Sequence, residues 1–274
     1  ADWPGIWGKN AVAAHILNNI GYEVDIKTVK NVIIYKSMAD KDVDVYLGSW
    51  MPSDKPIRTK LKDQYNIVQT NLEEGLYTLG VPKYVWDAGV KSFADLDKFA
   101  EKFDYKIYAG PIGWAFTKQM KKAIKNNTYG LGDWELVNSS QTAMIANMKR
   151  AVKREEWIAT LAWKPHWMNY VMDIKYLKDP QNVWVNAESW VDTLSRKGFK
   201  EDRPQVHKFL TQFKVSNDIC NEWIYYIGYK EQDPKKVAKR WVENNLDIIE
   251  PWLDGVKSEN GKRAFKVLKS NITN

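Results

Sequence analysis

Two short stretches put tryptophan where it can do chemistry. In YLGSWMPSDKP, Tyr46 to Pro56, Trp50 follows an apolar run and precedes a proline-bearing polar turn. In LAWKPHWMN, Leu161 to Asn169, Trp163 does the same, with His166 and Trp167 close behind. An indole at such a place is either buried or kept at a surface because its flat face binds something. Composition sharpens the question. The 274 residues include fourteen tryptophans and fourteen tyrosines. A packed core does not call for that many indoles, because each brings an N–H that must find a partner.

Other chemistries leave weaker marks. There is no dinucleotide fingerprint, phosphate loop, nucleophile elbow or zinc-protease helix motif. AGPIGWAF, from Ala109, carries two glycines at the wrong spacing for a phosphate cradle. Carboxylates are plentiful, and any two could face a cleft as a glycosidase pair, but nothing selects one. His15, His166 and His207 lie far from each other and from the single cysteine, Cys220, so no metal site is expected. A lone cysteine forms no intrachain disulfide, and it reads as a small core residue. The formal net charge is +7. Its lysines are spread among acids, and the densest run, Lys118 to Lys125, reads as the solvated face of one helix. Nucleic acid is therefore not an expected partner. No apolar stretch approaches the 18 residues of a membrane span. No cofactor is implied.

The elements that must position these residues follow from periodicity. Asn10 reads as the cap of a helix over AVAAHILNNI, closed by Gly21. YEVDIKTV, from Tyr22, has strand alternation, as do DVDVYLG, YNIVQT and KIYAG. SFADLDKFAEKF reads as a helix capped by Ser92, and QTAMIANMKRAVKREE as another. WIATLAW is a buried strand. PKKVAKRWVENNLDIIEPWLDG is helical to about Ile249, where Pro251 interrupts it, and ENGKRAFKVLKS is a last helix. Alternating strands and helices imply α/β architecture with helices over mostly parallel sheets. Ligands in such folds bind beyond the carboxyl ends of strands. Trp50 and Trp163 each stand immediately after a predicted strand. That implies two lobes with a cleft between them and a short hinge.

KDVDVYLGSWMP, LAWKPHWMN and IEPWLDGV together resemble the substrate-binding proteins of ABC transporters for quaternary ammonium compounds: glycine betaine, choline, carnitine and related osmolytes. The opening ADWPGIWGKNAVAAHILNNIGYEV fits as well, so the resemblance covers nearly the whole chain. It implies a two-lobed type II periplasmic-binding-protein fold that closes on its ligand. The expected lobes are 1–78 plus 185–274, and 79–184. It also implies no enzymatic activity and a box of aromatic side chains around a trimethylammonium head. By position Trp3, Trp50 and Trp163 match the box tryptophans. Tyr77, in EGLYTLGVP, matches a tyrosine that completes the box in choline-binding members.

The residue types suit that ligand. A quaternary ammonium has no N–H for a carboxylate to accept, and its charge is spread over methyl surfaces. Indole faces offer negative quadrupole potential and apolar area together, with up to about 2 kcal/mol per desolvated cation–π contact. In choline binders an Asp follows the first Trp by two residues and takes the hydroxyl, whereas here that position is Gly5. The Gly5-Ile6 pair resembles betaine binders, where backbone N–H groups hold the carboxylate. Both residues lie before the predicted helix start, a good place for an anion. His166 is a further candidate donor, and Trp114 stands where choline binders place a polar side chain. Lys9 reads as surface, and Glu73 and Glu74 as a solvated pair, with one of them facing the box to complement a cation as the alternative.

The expected ligand is thus glycine betaine or dimethylsulfoniopropionate, with trimethylamine N-oxide next and choline or carnitine as the alternative within the family. Two other classes stay open: an enzyme of betaine or carbohydrate chemistry, and a sugar-binding module. Sugar sites need many side-chain hydrogen bonds, and WPGIW and GSWMP supply few. The expected partners are the permease and ATPase of an ABC importer, met by a monomer. The expected location is the periplasm, or the outer face of the membrane through a lipid anchor. Ala1 fits a processed, exported form, and Cys220 is too far inside the chain to carry such an anchor.

Overall fold

The computed structural model describes residues 4–29, 31–112, 114–184 and 188–272. Trp3, one of the expected box residues, lies outside them. The chain forms two compact α/β units. One comprises Ala1–Gly75, Pro165–Trp167 and Ser189–Asn274, and the other Leu76–Lys164 and Met168–Glu188.

Helix α1, Pro4–Asn19, opens the first unit. It begins six residues earlier than the cap reading of Asn10. Pro4 suits a first helical turn, where its fixed φ is helical and its missing N–H costs nothing. Strand β1, Val45–Met51, follows. The first part of β2, Tyr65–Pro82, belongs to this unit, and β7, Glu188–Arg196, lies between the two in the order β1-β7-β2. YEVDIKTV forms no strand. Its polar groups bond elsewhere: the Val24 amide donates to Asn18 Oδ1 at 3.0 Å, and Lys27 Nζ to the Asp42 carbonyl at 3.0 Å.

The core of this unit joins Ile6, Val12 and Ile16 of α1 to Val191 and Leu194 of β7 and to the later helices. Trp223, Trp241 and Trp252 stand in it. Trp223 meets Trp241 edge-on at 5.0 Å, and Trp241 stacks on Trp252 at 5.9 Å. Part of the aromatic surplus therefore serves packing, contrary to the composition argument. One indole pays for it in polar terms, since buried Trp223 Nε1 has no acceptor. Pro251 lies inside a short helix, Leu246–Trp252, and the break falls instead at Asn245, after the helix Pro234–Asn244.

In the second unit the rest of β2 pairs with β5, Ala159–Lys164, and with β6, Ile174–Tyr176. Strand β3, Lys106–Ala109, lies between β5 and β4, Glu135–Asn138. The predicted helix at Phe93 starts with Ser92 and Asp95 in a reciprocal capping box.

The sheets are mixed where mostly parallel ones were expected. Pairs β3–β4 and β3–β5 are parallel, while β1–β7, β2–β5 and β2–β6 are antiparallel. The parallel pairs occur where helices Ala115–Lys125 and Gln141–Arg154 return the chain between strands, as parallel pairing requires. Strand β2 runs against β5 and β6, and β7 against β1.

Candidate functional site

In the first unit the expected site residues gather around α1 and the end of β1. Gly5 and Ile6 are buried in the first turn of α1, not ahead of it. The first four amides of an α-helix have no acceptor within the helix, and the helix dipole adds partial positive charge there. Ile6 packs on β1 at Gly48. A Cβ at Gly48 would lie 2.9 Å from Ile6 Cδ1, so a larger residue there would push the Ile6 side chain aside.

Two residues later, half-buried Trp50 closes the strand. Its amide donates to Asp54 Oδ2 at 3.1 Å, and the Asp54 amide donates back to the Trp50 carbonyl at 2.8 Å. The turn between them contains a cis Met51–Pro52 bond. The Tyr35 hydroxyl, 2.9 Å from Asp54 Oδ2 and 2.8 Å from Ser49 Oγ, completes the bracket. Burial drives its phenol well above the ordinary range. Nearby, Arg58 pairs with Asp192 of β7 at 2.5 Å, and Thr70 of β2 donates to the same carboxylate at 2.7 Å.

His166 is 8% exposed, and its amide donates to Asn221 Oδ1 at 2.8 Å. Burial pulls its imidazole down to about 4, so the ring is neutral at pH 7. The ring lies 5.3 Å from Trp167, which stacks on Tyr229 at 4.4 Å. Tyr225 stacks on Tyr229 in turn, at 5.5 Å, from the same π-helical segment, Tyr225–Tyr229.

The second unit brings three expected residues together. Tyr77 of β2 and Trp163 of β5 are directly opposite in the antiparallel register, with ring centroids 6.0 Å apart. Trp114, at the start of helix Ala115–Lys125, meets Trp163 edge-on at 6.1 Å. It lies over Gly110, where a Cβ would come within 2.6 Å of its ring. Phe116 supports Tyr77 edge-on at 5.8 Å, and burial raises the Tyr77 phenol. The Trp163 carbonyl accepts from Asn169 Nδ2 at 2.9 Å, and Asn169 Oδ1 accepts from Tyr176 at 2.5 Å.

Lys9 is not at the surface. It is 1% exposed, and its ammonium donates to Asn71 Oδ1. Glu73 and Glu74 are exposed, Glu73 paired with Lys214 at 3.2 Å. The Asp54–Tyr35–Ser49 bracket and the Tyr225–Tyr229 stack escaped sequence reading. The proline turn after Trp50 was the available hint for Asp54; Tyr35 gave none. A separate cavity of about 540 Å³ in the first unit, beside Tyr22, Val24, Val45 and Leu210, holds none of the expected site residues. Among the described residues no group of three or more His, Cys, Asp or Glu is placed to hold a metal, and no helix is long and apolar enough to cross a membrane.

Two α/β units, each with aromatic side chains at a strand end, have the build of a small-ligand binding protein. The model of the substrate-binding domain of ABC-type glycine betaine transport systems matches residues 1–244. The chain belongs to this family, which consists of transporter binding proteins and not of enzymes. The glycine betaine/carnitine transport binding protein GbuC of Listeria monocytogenes serotype 1/2a (strain 10403S) is 34% identical over 161 residues. That match takes in 59% of this chain and 53% of the relative, so it spans about half of the relative's length. Among solved structures, an ABC-transporter choline binding protein in complex with choline is 31% identical, with a TM-score of 0.68 over 99% of this chain and 95% of that one. The glycine/betaine/L-proline-binding protein (ProX) from Borrelia burgdorferi is 29% identical, with a TM-score of 0.67 over 97% of both chains.

Proposed function

We propose that this chain binds a small methylated-onium osmolyte outside the cytoplasm and delivers it to the permease and ATPase of an ABC importer. Glycine betaine or dimethylsulfoniopropionate leads, with trimethylamine N-oxide next. The observation that carries the reading is the Tyr77, Trp114 and Trp163 group. Strand register places one ring opposite another, and a third ring meets them from a helix start. Such a group offers π faces and apolar area to a methylated cation without any anion. Trp50 and Trp3 are the further aromatic walls that the sequence leads one to expect. The Gly5 and Ile6 amides take the ligand's carboxylate, and neutral His166 donates to it. Three or four aromatic faces give roughly 4–8 kcal/mol gross. Methyl burial adds to that and closure subtracts, so micromolar binding, about −8 kcal/mol, is within reach.

The lobes expected from sequence, 1–78 plus 185–274 and 79–184, are proposed as the two halves that hold the ligand. The protein works as a monomer, in the periplasm or tethered by lipid at the outer face of the membrane. Choline is the second reading, favoured by the choline-binding structure 31% identical to this chain. Gly5 has no side chain to take choline's hydroxyl, which keeps choline second.

Calorimetric titration with glycine betaine, dimethylsulfoniopropionate, trimethylamine N-oxide, choline, carnitine and glucose tests this. Saturable binding of a zwitterionic onium compound ahead of choline is expected. A response to glucose alone overturns the reading.

A further inference from the structure

A buried lysine needs a reason. An ammonium taken out of water is costly unless it is paired. Lys9 is among the largest fully buried side chains of the protein. Among the described residues no carboxylate forms an ion pair with it. Its hydrogen-bond partner is the neutral Asn71 of β2, and the one charged or titratable group that bears on it is the Cys220 thiol. Asn71 is committed in its turn: Nδ2 donates to the Leu47 carbonyl of β1 at 3.0 Å and to Thr193 Oγ1 of β7 at 2.9 Å. These bonds fix the ammonium between α1 and strand β1, which carries Trp50 three residues beyond Leu47. Lys9 follows Gly5 by four residues and Ile6 by three, so it shares their face of α1. Helical side chains lean toward the N-terminus of their helix, which directs this one toward the first turn. A neutral donor would anchor α1 to Asn71 equally well, without the cost of a buried charge.

We propose that Lys9 is a specificity-determining residue: its ammonium, held by Asn71 behind the first turn of α1, favours ligands that place an anionic group on that turn over ligands that carry only a cation. This rests on the betaine-type reading above. A charge buried this fully is weakly screened by solvent and salt, so it acts across a few ångströms without touching the ligand. It attracts the carboxylate of a zwitterion and repels the net positive charge of choline.

The groups packed on α1 set how Lys9 titrates: the π-helical segment adds Tyr225, Tyr226 and Tyr229, and the last helix, Ala264–Ile272, adds Lys266 and Lys269. Among the strands, Asn71 ties Lys9 to Leu47 of β1 and Thr193 of β7, and Tyr46 of β1 stays protonated because burial raises its phenol. From helix Asn217–Ile224 comes Cys220, whose thiol burial pushes up to about 11. Helix Pro234–Asn244, which packs along α1, directs Glu243 and Lys239 at His15 instead. Burial brings Lys9 down to about 8.

The test compares affinities for glycine betaine and choline in the wild type, Lys9→Met and Lys9→Arg at pH 7, and in the wild type from pH 6.5 to 9.5. Lys9→Met removes a buried charge but leaves buried Asn71 Oδ1 without its donor, so its stability is expected to stay near that of the wild type, checked by urea unfolding. Its preference for betaine over choline is expected to fall tenfold or more, with Lys9→Arg recovering part of it. In the wild type the same preference declines as pH rises through about 8. A preference in Lys9→Met within twofold of wild type overturns the inference and leaves the onium reading standing. If that variant fails to fold, a preference that stays flat with pH in the wild type overturns it equally. Wild-type protein that binds neither ligand overturns both readings together.

Discussion

Trp50 and Trp163 occupy equivalent places, each closing a strand, yet the two units hold them by different physics. Trp50 is bracketed by hydrogen bonds. Asp54 accepts from its amide and from Tyr35, while Tyr35 also meets Ser49. Trp163 is held mainly by rings. Tyr77 stands opposite it in register and Trp114 crosses it edge-on, and its carbonyl accepts from Asn169 behind. A bracket of buried polar groups fixes one position stiffly, and each unmet member is costly. A group of rings fixes several faces at once and loses several when one is removed.

The largest effect should come from the ring-held side. Trp163→Ala deletes one face and the rest for Tyr77 and Trp114. A loss of at least thirtyfold in glycine betaine affinity is expected, equivalent to about 2 kcal/mol. Trp50→Ala removes a single face and should cost about tenfold. Equal losses in calorimetry would erase the distinction between the two sides. Next comes the bracket itself. Asp54→Ala leaves the Trp50 amide without its acceptor and the Tyr35 hydroxyl with Ser49 alone, so about 1–3 kcal/mol of stability goes in urea unfolding. Affinity should fall severalfold as Trp50 loses its seat. Tyr35→Phe should do the same more weakly, at about 1 kcal/mol. Unchanged stability in Asp54→Ala would remove the bracket from the account.

The smallest expected effect is that of acid. His166 has a folded-state value of about 4, below its ordinary 6.5. As pH falls, the unfolded chain takes the proton first. The stability that neutral His166 contributes is therefore intact above about 6.5 and lost as pH drops toward 4. Affinity for glycine betaine should stay level from about pH 7 down to about pH 5, while the urea midpoint declines. A binding step near pH 6.5 would show an imidazole that titrates in water.

Sequence made the indoles legible because each follows an apolar run, and the runs are strands. Burial of polar residues was much harder to see. Strand β7 carries Ser189, Asp192, Thr193 and Ser195, all buried, so its hydropathy did not mark it. Lys9 read as solvated for the same reason: its partner Asn71 is 62 positions away, and no local pattern announces it. YEVDIKTV erred in the other direction. Tyr22, Val24 and Ile26 alternate as a strand should, but alternation supplies no ladder partner, and Ile26 is 41% exposed. Helix α1 already includes residues ahead of the cap read at Asn10, which moved Gly5 and Ile6 from a loop into a helix.

The central claim is that rings hold a cation. Its most direct measurement compares glycine betaine with 3,3-dimethylbutanoate, which keeps the shape and the carboxylate and replaces the charged nitrogen by carbon. The account predicts that betaine binds at least about a hundredfold more tightly in calorimetry, the equivalent of one or two cation–π contacts. Equal affinities would contradict it and leave the aromatic groups as apolar surface alone.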